Sequence, residues 1–135
     1  MPLAVHLFHY PKCSTCRRAI AFVRATVPDV RLTLTDLVVT PPSRPQVEAL
    51  VARSGLPLRR WFNTSGESYR NGQFGARIPS MSDAEQLDAL AADGKLIKRP
   101  VVIIRAGEGG ALEAGTTVLV GFDEATWAEA LQAAR

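Results

Sequence analysis

The sequence predicts an α/β fold: a mixed four-stranded sheet with a helical insertion between its second and third strands. Three observations lead there. A short apolar run, Ala4 to Tyr10, passes directly into a helical pattern and then into an alternating run from Val30 to Leu37. Near the other end, two apolar runs flank a glycine-rich stretch and are followed by one more helical pattern. Between these halves, helix-length periodicity and capping signals replace strand-like runs. A chain of 135 residues is long enough to bury a real core, and residues 1–135 are read as a single domain.

Each element has its own signal. Val5, Leu7, Phe8 and Tyr10 give the first run the mixed apolar character of a central strand buried on both faces. The following helix sets Cys16, Ile20, Val23 and Val27 on one stripe and stops at Pro28-Asp29. Val30, Leu32 and Leu34 alternate with Arg31, Thr33 and Thr35, as a half-buried strand does. After the Thr40-Pro41-Pro42 loop, Ser43 and Gln46 form a capping box for a helix running to about Arg53, with Val47, Leu50 and Val51 inside and Gly55 as its stop. Pro57 to Phe62 reads as a short helix, and Asn63 to Pro79 as a polar, glycine-dotted segment. A second capping box, Ser82 with Glu85, opens a helix that Gly94 ends. Leu96 to Ile104 reads as a strand, Gly107 to Gly115 as a turn, and Thr117 to Phe122 as the hairpin partner. Asp123 to Ala134 closes the chain as a helix carrying Trp127, Ala130 and Leu131 on its inner side. A strand, helix and strand, then a helical insert, then two strands and a helix, is the thioredoxin-like arrangement.

The only two cysteines, Cys13 and Cys16, stand at the first strand-to-helix junction in a Cys-x-x-Cys spacing. A cysteine there lies at a helix N-terminus, where free N–H groups and the positive dipole end favour a thiolate. Lys12, Arg17 and Arg18 add positive charge. Cys13 is therefore read as a reactive thiolate and the stripe-facing Cys16 as its resolving partner. Zinc needs four ligands, and the only histidines, His6 and His9, point to opposite faces of a strand. No metal is expected. Pro100, entering the third strand, would present a backbone without a competing N–H opposite the pair. Arg99 beside it can reach Cys13 or an oxyanion bound there, since a guanidinium fork suits oxyanions. His9, as imidazolium, would further favour the thiolate; its alternative is a satisfied strand histidine.

Composition narrows the function classes. The chain is 47% apolar and 21% charged, with a net charge of +3, which allows an anionic substrate and gives no case for direct nucleic-acid binding. No run is long and apolar enough for a membrane span, and the first residues lack a signal-peptide pattern, so a cytoplasmic location is expected. In that compartment a Cys-x-x-Cys points to redox or metal chemistry ahead of a structural bridge.

Four stretches then carry a family resemblance: Tyr10-Pro11-Lys12-Cys13-Ser14-Thr15-Cys16-Arg17, Phe62-Asn63-Thr64-Ser65-Gly66, Gly94 to Pro100, and Val118 to Phe122. The sequence resembles the glutaredoxin-type arsenate reductase (ArsC) family, in the branch that contains the Spx and MgsR regulators. The resemblance implies a thioredoxin-like fold and a cis Arg99-Pro100 peptide facing Cys13. In the family's His-Asn-Pro-x-Cys-Gly-Thr-Ser-Arg motif, His9, Pro11, Cys13, Thr15 and Arg17 match, while Tyr10, Ser14 and Cys16 differ. Of the three arginines that clamp arsenate in the family, Arg99 matches one; the other two positions read Asn63 and Gly121.

These readings converge on a thiol–disulfide oxidoreductase with Cys13 as nucleophile, Cys16 as resolver and Arg99 as stabiliser, supported by His9, Thr15, Arg17 and Pro100. No organic cofactor is expected; the electrons would come from thioredoxin, glutaredoxin or a glutathione-like thiol. Two alternatives follow from the resemblance: a true arsenate reductase, and a redox-switched transcriptional regulator that binds the C-terminal domain of RNA polymerase α.

Overall fold

The computed structural model describes residues 3–106 and 116–135, so the predicted turn at Gly107 to Gly115 lies outside the described residues. The chain divides into two compact units, Met1–Asp36 with Arg99–Arg135, and Leu37–Lys98.

The first unit holds the sheet, with strands β1 (Leu3–His9), β2 (Arg31–Asp36), β3 (Val101–Ala106) and β4 (Thr117–Val120). Their order is β2-β1-β3-β4, with β1 parallel to β2 and antiparallel to β3, and β3 antiparallel to β4. This is the mixed α/β sheet expected. Strand alternation explains the core: Leu3, Val5 and Leu7 of β1 share a face with Val102 and Ile104 of β3. Onto that face pack Ala19 and Val23 of helix α1 (Ser14–Thr26) and Trp127 and Leu131 of helix α6 (Glu124–Ala133). Phe8, Val101 and Ile103, which point the other way, are also buried, so β1 and β3 bury apolar side chains on both faces. The α1 stripe departs slightly from the predicted one: Ala19 is fully buried while Ile20 is only partly so. An i, i+3, i+7 stripe from Cys16 thus carries the contact. β2 is an edge strand, and its Leu34 is exposed despite the alternating pattern.

The second unit is helical. Helix α2 (Arg44–Ser54) begins at Ser43, whose capping box with Gln46 is complete in both directions, and ends at Gly55 in the left-handed conformation. Trp61, in the 3₁₀ turn Leu58–Trp61, is buried and donates its indole N–H to Ser54 Oγ at 3.1 Å. The polar stretch that follows contains two short helices, α3 (Glu67–Asn71) and α4 (Phe74–Arg77). They are organised by an aromatic cluster, with the rings of Phe62, Tyr69 and Phe74 all within 6.3 Å of one another. Helix α5 (Asp83–Ala92) carries the second capping box, Ser82 with Glu85.

Two expectations are corrected in this unit. Gly94 does not end α5, which is capped by Asp93; it opens a 3₁₀ turn, Gly94–Leu96, in which the Asp93 carboxylate accepts the Lys95 N–H at 2.9 Å. Nor does the third strand begin at Leu96. Ile97 forms an isolated bridge with Phe62, Lys98 donates its N–H to the Trp61 carbonyl at 2.8 Å, and β3 starts only after Pro100. The apolar run from Leu96 to Ile104 therefore serves two separate pairings, divided by a proline that has no N–H to give a ladder.

Candidate active site

Cys13 follows the Tyr10–Lys12 turn and donates its N–H to the Tyr10 carbonyl at 2.9 Å. Its backbone is extended, φ −88° and ψ 119°, which makes it the N-cap of α1. Ser14, Thr15 and Cys16 are then the first three helical residues, whose N–H groups have no partner within the helix. An N-cap side chain ordinarily accepts from the second or third of these amides. Here the side-chain atom is a sulfur, and the amides belong to Thr15 and Cys16. Those amides favour a negative charge on the sulfur, as the positive end of the helix does. The first turn carries no acidic residue to oppose a negative charge.

Burial pushes the Cys13 thiol up, but the opposing effects win and its pKa lies below the ordinary thiol value. Those effects are the Cys16 N–H, the Cys16 thiol, the Thr15 N–H and hydrogen bonding from the Arg99 guanidinium. Cys16 moves the opposite way, to about 12, because burial dominates and the facing Cys13 charge adds to it, outweighing the Tyr10 backbone and Arg99. The exposures agree with this split, since Cys16 is fully buried and Cys13 is half-buried. The two thiols are thus split, with the lower pKa on the reachable sulfur.

Arg99 precedes the cis-linked Pro100 and β3. β3 runs antiparallel to β1 with Val101 beside Phe8, so two residues earlier the chain falls beside Tyr10. The Arg99 guanidinium carbon lies 4.9 Å from the centre of the Tyr10 ring. Pro100 is buried, and its carbonyl accepts the Gly121 N–H at 2.8 Å. This brings Cys13, Cys16, Thr15, Arg99 and Pro100 to one end of the first unit.

Two of the predicted supporting residues sit differently. Arg17 donates to the Pro11 carbonyl at 2.9 Å, so it fastens the loop before Cys13. His9 ends β1 in register with Asp36, and no hydrogen bond joins it to Cys13. His6 is occupied elsewhere, bonded to Thr35 Oγ1 at 2.7 Å and stacked on Phe8. Among the described residues, no group of three or more His, Cys, Asp or Glu side chains converges as metal ligands would. Gly121 has φ +78°, a left-handed conformation in which an arginine would be strained. Asn63 lies in the second unit, where its N–H binds the Leu96 carbonyl at 2.7 Å and its Oδ1 accepts from Ser65. Tyr10, read from the sequence as a strand residue and as a position where the family motif differs, has no role beside Arg99 in that reading. Its signal is the antiparallel register, which needs the position of β3.

Replacing Arg99 with alanine removes one charge-assisted contact from the sulfur. The alkylation rate of Cys13 at pH 6 is expected to fall roughly three- to ten-fold, with little change at pH 9.5 where both proteins are ionised. A pH–rate series with iodoacetamide on both proteins checks this.

Comparison with known proteins places these features among relatives. A model described as the ArsC family matches residues 8–130. The chain is similar to YusI of Bacillus subtilis, an uncharacterized protein, with 36% identity over 122 residues, 90% of this chain and 93% of YusI. It is 33% identical to an arsenate reductase of Rhizobium meliloti over 105 residues, 78% of this chain and 72% of that protein. The solved structure of an ArsC family related protein from Bacteroides fragilis superposes with a TM-score of 0.79 at 32% identity, covering 93% of this chain and 96% of that one.

Proposed function

Since this chain belongs to the ArsC family and is arsenate reductase-like, we propose that it is a thiol–disulfide oxidoreductase in which Cys13 attacks and Cys16 resolves. The observation that carries the reading is the split pair, with a lowered thiol at the N-cap and a raised, buried one three residues on.

The cycle follows from thiol chemistry. The Cys13 thiolate attacks one sulfur of a substrate disulfide, forming a mixed disulfide and releasing the other half as a thiolate. Cys13 then carries no charge, so one cause of the high Cys16 pKa is gone. Cys16 passes its proton to the departing thiolate and attacks the Cys13 sulfur. The second substrate thiolate leaves, and the protein holds a Cys13–Cys16 disulfide; two electrons have passed to the substrate. A dithiol such as thioredoxin or glutaredoxin, or two glutathione-like thiols, returns them. Arg99 stabilises the Cys13 thiolate at the start and end of the cycle. Among the described residues no helix is long and apolar enough to cross a membrane.

Arsenate is the second candidate substrate, favoured by the similarity to the Rhizobium meliloti arsenate reductase. Cys13 would displace hydroxide from arsenic(V). Attack of Cys16 on the Cys13 sulfur would then break the S–As bond, leaving its electron pair on arsenic as arsenite. Of the three family arginine positions only Arg99 supplies a guanidinium, which favours the disulfide substrate.

Coupled NADPH consumption with thioredoxin or glutaredoxin systems separates the two. A small organic disulfide is expected to drive turnover above the protein-free background, and arsenate to do so weakly. Faster turnover with arsenate would reassign the substrate, and no turnover with either would contradict the enzymatic reading. A pull-down of the C-terminal domain of RNA polymerase α by oxidised and reduced protein tests the regulator reading: redox-dependent capture would establish it as a second role.

A further inference from the structure

We propose that Tyr10 is the positioning residue for Arg99: its ring holds the guanidinium at the place from which it acts on Cys13. The inference rests on the reading of Cys13 as the attacking thiolate and adds a residue to that site.

The geometry is local and specific. The Arg99 guanidinium carbon is 4.9 Å from the Tyr10 ring centre, inside the distance at which a cation is attracted to an aromatic face. The backbone that carries the ring is fixed from two directions. Tyr10 follows β1 directly, and its carbonyl accepts the Cys13 N–H at 2.9 Å. One residue therefore sets the backbone of the nucleophile and the position of its cation together. An arginine side chain has several rotatable bonds, so its charge is ordinarily spread over many positions. Arg99 is only half-buried, so burial by itself does not fix its guanidinium. A ring bound to the cysteine loop confines the guanidinium to the neighbourhood of the sulfur. The phenol oxygen has no part in this, so phenylalanine should serve equally well.

The test is the pH dependence of Cys13 alkylation by iodoacetamide, followed by peptide mass spectrometry to read Cys13 alone. Tyr10→Leu is expected to slow alkylation at pH 6 by roughly three-fold and to leave the rate at pH 9.5 unchanged. Tyr10→Phe is expected to match the wild type. In an Arg99→Ala background, Tyr10→Leu is expected to add no further loss, because the ring acts through the guanidinium. Tyr10→Gln gives a second non-aromatic variant if the leucine protein does not fold. The proposal is overturned if the non-aromatic variants keep the wild-type pH profile, if Tyr10→Phe loses as much as Tyr10→Leu, or if the loss persists undiminished without Arg99. These failures are separate from failure of the functional reading. If wild-type Cys13 titrates as an ordinary thiol, the thiolate reading falls; if it titrates low but ignores Tyr10, only this inference falls.

Discussion

Incubated with a small organic disulfide, the Cys16→Ser protein is expected to accumulate a stable mixed disulfide on Cys13, while Cys13→Ser takes up nothing. Only a thiolate attacks a disulfide, and the one reachable sulfur with a lowered pKa is Cys13. Its loss should reduce disulfide turnover on the order of 10³-fold or more, to the background of the reductant alone. Cys16 acts later. A buried thiol adjacent to the mixed disulfide attacks it without a diffusive encounter, and removing that thiol leaves the adduct to wait for an external one. Serine at position 16 keeps a hydroxyl that can hydrogen-bond to the Cys13 sulfur, so attack itself should survive. Intact-mass spectrometry reads both outcomes. Rapid turnover by Cys16→Ser with no trapped adduct would mean that an external thiol resolves the intermediate.

The largest effect on stability is expected from Gly94→Ala. A Cβ built on Gly94 would lie 1.9 Å from the Leu37 carbonyl oxygen and 2.6 Å from its carbon. Both are backbone atoms within the same unit, so no side chain can swing aside, and the two segments must separate. Gly94 and Leu37 are both buried, and the separation also opens apolar surface. A loss of about 3–5 kcal/mol is expected, at the upper end for a single substitution. For a chain of this size that lowers the thermal midpoint by roughly 10–20 °C. Gly55→Ala provides the contrast. Gly55 has φ +71° with no atom within 4 Å of a built Cβ, so it meets conformational strain alone and should cost about 1–2 kcal/mol. Thermal unfolding of the two variants checks the order; equal losses would contradict the steric account.

The comparison of these two glycines shows what a sequence discloses. Gly55 is legible because a left-handed stop after a capped helix is a local event. Gly94 looks like another such stop, yet its real constraint comes from a segment far away along the chain. The same division runs through the fold. Both capping boxes, the parallel β1–α1–β2 opening and the burial of Trp61, Phe62 and Trp127 follow from short-range pattern and apolarity. The start of β3 does not, since Leu96 to Ile104 reads as one largely apolar run and only the pairing of Ile97 with Phe62 reveals the break. At the site, the roles proposed for Cys13 and Cys16 are readable from their place at a strand-to-helix junction. The partners of Arg17 and Tyr10 are not, because they depend on a loop conformation and on the register between β1 and β3.

The central claim is that the Cys13 sulfur ionises at a lower pH than an ordinary thiol. The rate of iodoacetamide alkylation of Cys13 against pH tests it most directly, since only the thiolate reacts. A lowered pKa means that the ionised fraction persists as pH falls, so the rate should reach its plateau below the pH at which a free cysteine peptide does. Cys16, held near 12, should stay unmodified throughout. A Cys13 profile that coincides with the peptide's, or lies above it, would contradict the account.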